Sequence, residues 1–217
     1  MKHDVFSKHA NEIFDLSVSQ EQFEKFCIYV ELIRSWVDRV RLISTHDKDV
    51  IWERHILDCL SIVTSLPNKG IILDMGSGSG LPGVPIKIMR SDLQVVLLEP
   101  ARMKSLFLQQ VVETLQLPGL ICIRERAENL SKTPKHQSHY NAVVARAVAS
   151  LPKLWTWAKP LLNPMGQLIS MKGPNYLLDF GGKTPEGIKT KEQVYHLRFI
   201  QRDRVIVTLS KNLELER

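Results

Sequence analysis

The sequence predicts an α/β protein: a mainly parallel seven-stranded sheet, helices on both faces, and a helical N-terminal extension. Three observations carry this reading. From Gly70 onward, short β-rich runs alternate with helical runs. The first of those runs ends in a glycine-rich turn, Asp74-Met75-Gly76-Ser77-Gly78-Ser79-Gly80-Leu81-Pro82-Gly83. Before Gly70 the apolar residues recur at helical spacing instead.

The elements follow in order. Residues 1–66 form the helical extension and 67–217 the α/β part, together one compact unit. Ser19 with Gln22 has the form of a capping box, and Phe23, Phe26, Val30, Ile33 and Val37 continue as an apolar stripe. A second helix starts near Ser44 or Thr45, with Asp47 and Asp49 at its positive end and Ile56, Leu60 and Val63 as its stripe. Pro67-Asn68-Lys69-Gly70 ends it. The predicted strands are 71–75, 94–99, 120–123, 142–145 and 167–171, and the clearest intervening helix is 101–116. Asn163-Pro164 reads as a turn before the fifth strand. Two further β-rich runs, 193–200 and 204–209, suggest a closing hairpin at a sheet edge. Residues 173–190 have loop composition, and a loop of that length is often functional or mobile.

Composition narrows the function classes. The chain of 217 residues has a net charge of +6, mild support for a polyanionic partner such as RNA. No apolar run is long enough to span a membrane, and Met1–Phe6 lacks a signal-peptide core, so the expectation is a cytoplasmic protein. Cys27, Cys59 and Cys122 fit neither a disulfide framework nor a zinc site and read as buried apolar residues. His136 and His139 have metal-pair spacing without a third ligand, so no metal is expected.

The glycine turn fits two ligands. Gly78, Gly80 and Gly83 match the dinucleotide pattern G-x-G-x-x-G, while Gly76, Gly78 and Gly80 match G-x-G-x-G two residues after Asp74. Glu99, nineteen residues beyond Gly80, can accept hydrogen bonds from ribose hydroxyls of NAD or of S-adenosylmethionine. Asp74 favours the latter, because a carboxylate suits the positive sulfonium and ammonium groups better than a pyrophosphate. The competing role for Asp74 is to tie down the loop through backbone N–H groups. Arg126-Ala127-Glu128, after the third strand, lies where such sites contact adenine. An NAD-dependent oxidoreductase and a non-catalytic RNA-binding or assembly protein are the alternatives.

These motifs also carry a family likeness. Arg54-His55-Ile56-Leu57-Asp58, the turn through Val84-Pro85, Arg102 to Leu108, Arg126-Ala127-Glu128, Ala145-Arg146-Ala147 and Met171-Lys172-Gly173 occur in order across roughly residues 30–175. In them the chain resembles the bacterial small-subunit (16S) rRNA guanine-N7 methyltransferase family (RsmG, also called GidB). The resemblance implies a Rossmann-like class I S-adenosylmethionine-dependent methyltransferase. It implies cofactor contacts at Gly76, Leu81, Ala127, Glu128 and Arg146, with Glu99 near the ribose. It also implies small-subunit rRNA or the 30S particle as partner, and we expect a monomer. Pro100 and the polar segment 131–139 depart from the family pattern.

Guanine N7 has a free lone pair, so no strong general base is expected and catalysis rests on proximity and alignment. Arg146 and Lys172, at the C-terminal ends of the fourth and fifth strands, are the expected positioning residues. Arg54, His55 and Lys172 are candidate RNA contacts. Lys183, Lys189, Lys191, Arg198, Arg202 and Arg204 add basic charge toward rRNA.

Overall fold

The computed structural model describes residues 1–181, 186–197 and 202–212. Its sheet has seven strands in the order β3-β2-β1-β4-β5-β7-β6. They are β1 (Ile71–Met75), β2 (Gln94–Leu98), β3 (Leu120–Ile123), β4 (Tyr140–Arg146), β5 (Leu162–Lys172), β6 (Ile188–Leu197) and β7 (Arg202–Lys211). The first five pair in parallel, and β7 runs antiparallel between β5 and β6. The helices are α1 (His3–Phe14), α2 (Gln20–Trp36), α3 (Asp58–Leu60), α4 (Gly83–Met89), α5 (Arg102–Leu115), α6 (Ala127–Leu130) and α7 (Leu151–Ala158). No helix among the described residues is long and apolar enough to cross a membrane.

Strand alternation builds two cores. Ile72 of β1, with Val95 and Leu97 of β2, joins a core with Phe6, Phe23, Phe26, Tyr29 and Ile33 of the N-terminal helices. The neighbours Leu73, Val96 and Leu98 point the other way, toward Leu151 and Leu154 of α7. The N-terminal helices thus cover one face of the sheet, as a crossover helix would. Phe6, Phe23 and Trp52 form an aromatic cluster with ring centroids 5.2–5.8 Å apart. The capping box forms as the spacing predicts: Gln22 N–H donates to Ser19 Oγ at 3.2 Å, and Ser19 N–H to Gln22 Oε1 at 2.9 Å.

Three expectations need correction. The second N-terminal helix is not a regular α-helix: a 3₁₀ stretch, Thr45–Val50, passes into a π-helical turn, Trp52–Leu57, and then into α3. The wider π turn is the kind of local irregularity that often re-aims side chains at functional sites. Asn163-Pro164 lies inside β5, not before it. The register jumps there from Tyr140↔Leu162 to Ala142↔Gln167, and this bulge lets a strand hold a proline. The long loop is shortened from both ends, by a 3₁₀ turn at Tyr176–Phe180 and by β6 starting at Ile188. Residues 198–200 of the expected sixth run lie outside the described residues, as do Lys183 and Arg198.

Candidate functional site

The turn after β1 stands where the sheet order reverses, between β1 and β4, the place where open α/β sheets bind ligands. Its backbone is anchored to the neighbouring strand: the N–H groups of Gly76 and Ser77 both donate to Leu98 O, at 2.9 and 3.0 Å. Gly76 has φ +72°, and a Cβ there would stand 2.9 Å from Val148 Cγ2. Gly80 has φ +91°, and a Cβ there would stand 2.7 Å from Val84 Cγ2. Both positions therefore require glycine on conformation and on space. Gly78, at φ +59°, differs, since a Cβ there meets nothing closer than 3.9 Å. Behind the turn, the buried Tyr29 hydroxyl of α2 donates to Ser79 O at 2.6 Å. The sequence reading did not single out Tyr29, which is absent from the stripe of Phe23, Phe26, Val30, Ile33 and Val37.

Two buried carboxylates hold the turn. Glu99 Oε2 accepts from Gly78 N–H at 2.9 Å, and its Oε1 accepts from Ala101 N–H at 2.8 Å. Each oxygen keeps a second lone pair for a hydroxyl. Asp74 is fully buried beneath the turn, and its Oδ2 accepts from Gly83 N–H at 3.0 Å. Its Oδ1 has no hydrogen-bond partner. Burial pushes its pKa up to about 7. Asp74 therefore takes the loop-tying place, because the side chain at this strand position points into the packing between sheet and helix α4.

A cleft of about 250 Å³ opens over the turn, lined by His55, Gly76, Gly78, Leu81, Lys104 and Arg146 among others. A second depression, about 670 Å³, lies between Pro100-Ala101 and Arg124, Arg126 and Asn129. Ala127 and Glu128 begin α6 beside this depression, but their side chains do not line it. Glu99 is buried and lines neither space itself, but its two backbone partners, Gly78 and Ala101, line one each.

Arg146 ends β4 at the edge of the first cleft and is tied to the π turn. Its guanidinium donates to His55 Nδ1 at 2.8 Å, to Arg54 O at 3.2 Å and to Cys59 Sγ at 3.3 Å. It also pairs with the buried Asp58 at 3.4 Å. Because an arginine can only donate, His55 must accept at Nδ1 and carry its proton on Nε2, which faces Asp47 Oδ2 at 3.3 Å without hydrogen-bond alignment. Burial and the neighbouring Arg146 lower the His55 pKa to about 4, so the ring is neutral at physiological pH. His55 thus orients Arg146 from beneath and is mostly covered. Arg54 is half-exposed and pairs with Asp47 at 2.8 Å. Cys59 is buried as expected, with its thiol pushed up to about 12 by burial. Cys27 and Cys122 are only partly buried.

Lys172 ends β5 with its ammonium on Ala149 O at 2.7 Å and Asp179 Oδ2 at 2.9 Å, so its charge is partly neutralised. His136 Nδ1 is in hydrogen-bond contact with the Tyr140 hydroxyl at 2.8 Å, where a 3₁₀ turn leads into β4. Lys189 and Lys191 are exposed on β6.

The chain is 31% identical over 209 residues to ribosomal RNA small subunit methyltransferase G of Clostridium kluyveri, covering 90% of this chain and 88% of that protein. It is 38% identical over 167 residues to the Streptomyces avermitilis protein of the same name, covering 76% and 66%. Among solved structures, Aeropyrum pernix fibrillarin in complex with S-adenosyl-L-methionine superposes with a TM-score of 0.51 at 18% identity, covering 66% of this chain and 68% of that one, a likeness of fold. Residues 22–207 match the family described as rRNA small subunit methyltransferase G, and the chain belongs to that family, GidB.

Proposed function

We infer that the chain transfers a methyl group from S-adenosylmethionine to N7 of a guanine in small-subunit (16S) rRNA. Family membership supports the enzyme class. The observation that carries the donor is Glu99, whose carboxylate ties Gly78, on the lining of one cleft, to Ala101, on the lining of the other. A nucleoside ribose there would place adenine toward Arg124–Asn129 and the amino-acid end over Gly76 and Gly78.

Bound at this site, the donor supplies a methyl group already activated on a sulfonium. The residues of the chain supply alignment. Gly76 and Gly78 let the backbone approach, Leu81 closes the floor of the cleft, and Arg146 is held at its edge by His55 and Asp58. His55 is neutral but committed to Arg146, so it holds no base free for catalysis. N7 needs none, because its lone pair attacks without prior loss of a proton.

The partner is small-subunit rRNA, free or within the 30S particle, and the chain acts as a cytoplasmic monomer. Incubation with labelled donor and small-subunit particles lacking the modification should yield one labelled 7-methylguanosine, located by mapping. NAD binding without binding of S-adenosylmethionine would overturn the reading. Donor binding without transfer to rRNA or particles would favour an assembly protein on the same scaffold.

A further inference from the structure

We propose that the C-terminal strand pair, β6 and β7, completes a separate cleft that receives the acceptor nucleotide, with Tyr195 and Met171 as walls for the base and Arg204 as the cation for its phosphate. The proposal rests on the methyltransferase reading above and adds where the acceptor sits and which residues hold it.

The cleft lies beyond Arg146 from the donor site. It measures about 270 Å³ and is lined by Asp58, Arg146, Met171, Lys172, Tyr195 and Arg204, with Ala147 and Gly173. Arg146 and Ala147 belong to both clefts, so the wall between donor and acceptor is one residue pair thick. Ala147 has φ +54°, a left-handed conformation uncommon for a residue with a Cβ. Strain of that kind persists where the surroundings impose it, and often marks a functional site. A space of this size admits one unstacked base, which is how single guanines in RNA expose their edges.

Charge selects the ligand. Asp58 is buried and serves two guanidinium groups: Arg146 at 3.4 Å, and Arg204, whose Nε stands 3.9 Å from Asp58 Oδ1. Lys172 is matched by Asp179. One carboxylate between two arginines leaves one positive charge over, enough for one phosphodiester. Arg204 is the arginine placed to use it. Its side chain is about a third exposed, at the rim, and its buried Nε makes no hydrogen bond. The Tyr195 hydroxyl donates to Asp58 Oδ1 at 2.8 Å, which fixes the ring as a wall and the carboxylate beneath it. Asp58 thereby acts as a positioning residue for both arginines.

Two measurements test this. A single-stranded RNA carrying one 6-thioguanosine, irradiated in the presence of the full-length protein and S-adenosylhomocysteine, should crosslink within Met171–Gly173 or at Tyr195, as read by peptide mass spectrometry. Crosslinks confined to Arg124–Asn129 or to Lys104 would overturn the proposal. In steady-state transfer to small-subunit particles, Arg204→Ala should raise KM for the particle about tenfold, as loss of a charge-assisted contact does, with kcat nearly unchanged. Donor affinity by calorimetry should be unaltered. Unchanged KM in a folded Arg204→Ala protein would overturn the acceptor assignment while leaving the enzyme reading intact. Absence of transfer by the wild-type protein would instead strike the enzyme reading itself.

Discussion

Replacing Asp74 with asparagine should change how stability depends on pH. The carboxyl group is fully buried, with one oxygen on Gly83 N–H and the other unpartnered. Its pKa rises from 3.8 to about 7, chiefly through burial, with the nearby Glu99 charge adding to the shift. Below about pH 4 the group is protonated in folded and unfolded chains alike and costs nothing. Between pH 4 and 7 the folded protein keeps a proton that the unfolded chain has released, so stability falls as pH rises. Above about 7 both states are ionised and the cost is constant. The shift corresponds to about 4 kcal/mol, at about 1.4 kcal/mol per pH unit. Asparagine preserves the acceptor for Gly83 but cannot ionise. Its amide nitrogen, in place of Oδ1, finds no acceptor and adds a pH-independent penalty of about 1–3 kcal/mol. Urea unfolding of both proteins at steps from pH 4 to 8, with equal m-values, gives the difference directly. The stability of Asp74→Asn relative to wild type should climb by about 4 kcal/mol up to pH 7 and then level off. A difference that stays flat, or falls with pH, refutes the reasoning.

Gly83→Ala should destabilise the fold by about 2 kcal/mol through overpacking, since its Cβ would lie 2.4 Å from Leu97 Cδ2 and 2.6 Å from Asp74 Oδ2. Denaturant midpoints check this, and a midpoint equal to wild type would show that the turn has slack. Arg146→Ala should lower methyl transfer sharply while the fold survives, and unchanged activity would remove Arg146 from the site. The same substitution should raise the His55 pKa from about 4, because Arg146 is the second cause of its depression after burial. NMR titration of the imidazole reads that shift, and a ring still neutral at the same pH would refute the coupling.

The sheet was legible because its signals are local. β1 and β3 occupy the predicted spans, and the capping box at Ser19 announces α2. The glycine turn was legible because a tight turn restricts residue type at fixed offsets, as the conformations of Gly76 and Gly80 show. The π turn was not: its i→i+5 geometry leaves no distinct period in six residues, and its contacts with Arg146 and the core are tertiary. Asp74 was placed toward the ligand because a strand-end carboxylate looks the same in sequence whether it faces a cleft or a helix. Asp58 appeared only as part of a motif, although Ile56, Leu57 and Leu60 around it hinted at burial. Arg204 was legible only as one basic residue among several and Tyr195 not at all, since their partner Asp58 stands more than a hundred positions away.

That separation has a consequence for how the enzyme comes into being. The bond between Asp58 and Tyr195 spans 137 positions, and β7 pairs with both β5 and β6. A loop of that length must close before the contact rewards it, so contacts of such long range form late in folding. The glycine turn is anchored far more locally, by Gly76 and Ser77 on Leu98. A refolding chain should therefore regain the shape of the turn before Tyr195 and Arg204 close over Asp58, so the two sides of Arg146 are completed at different times.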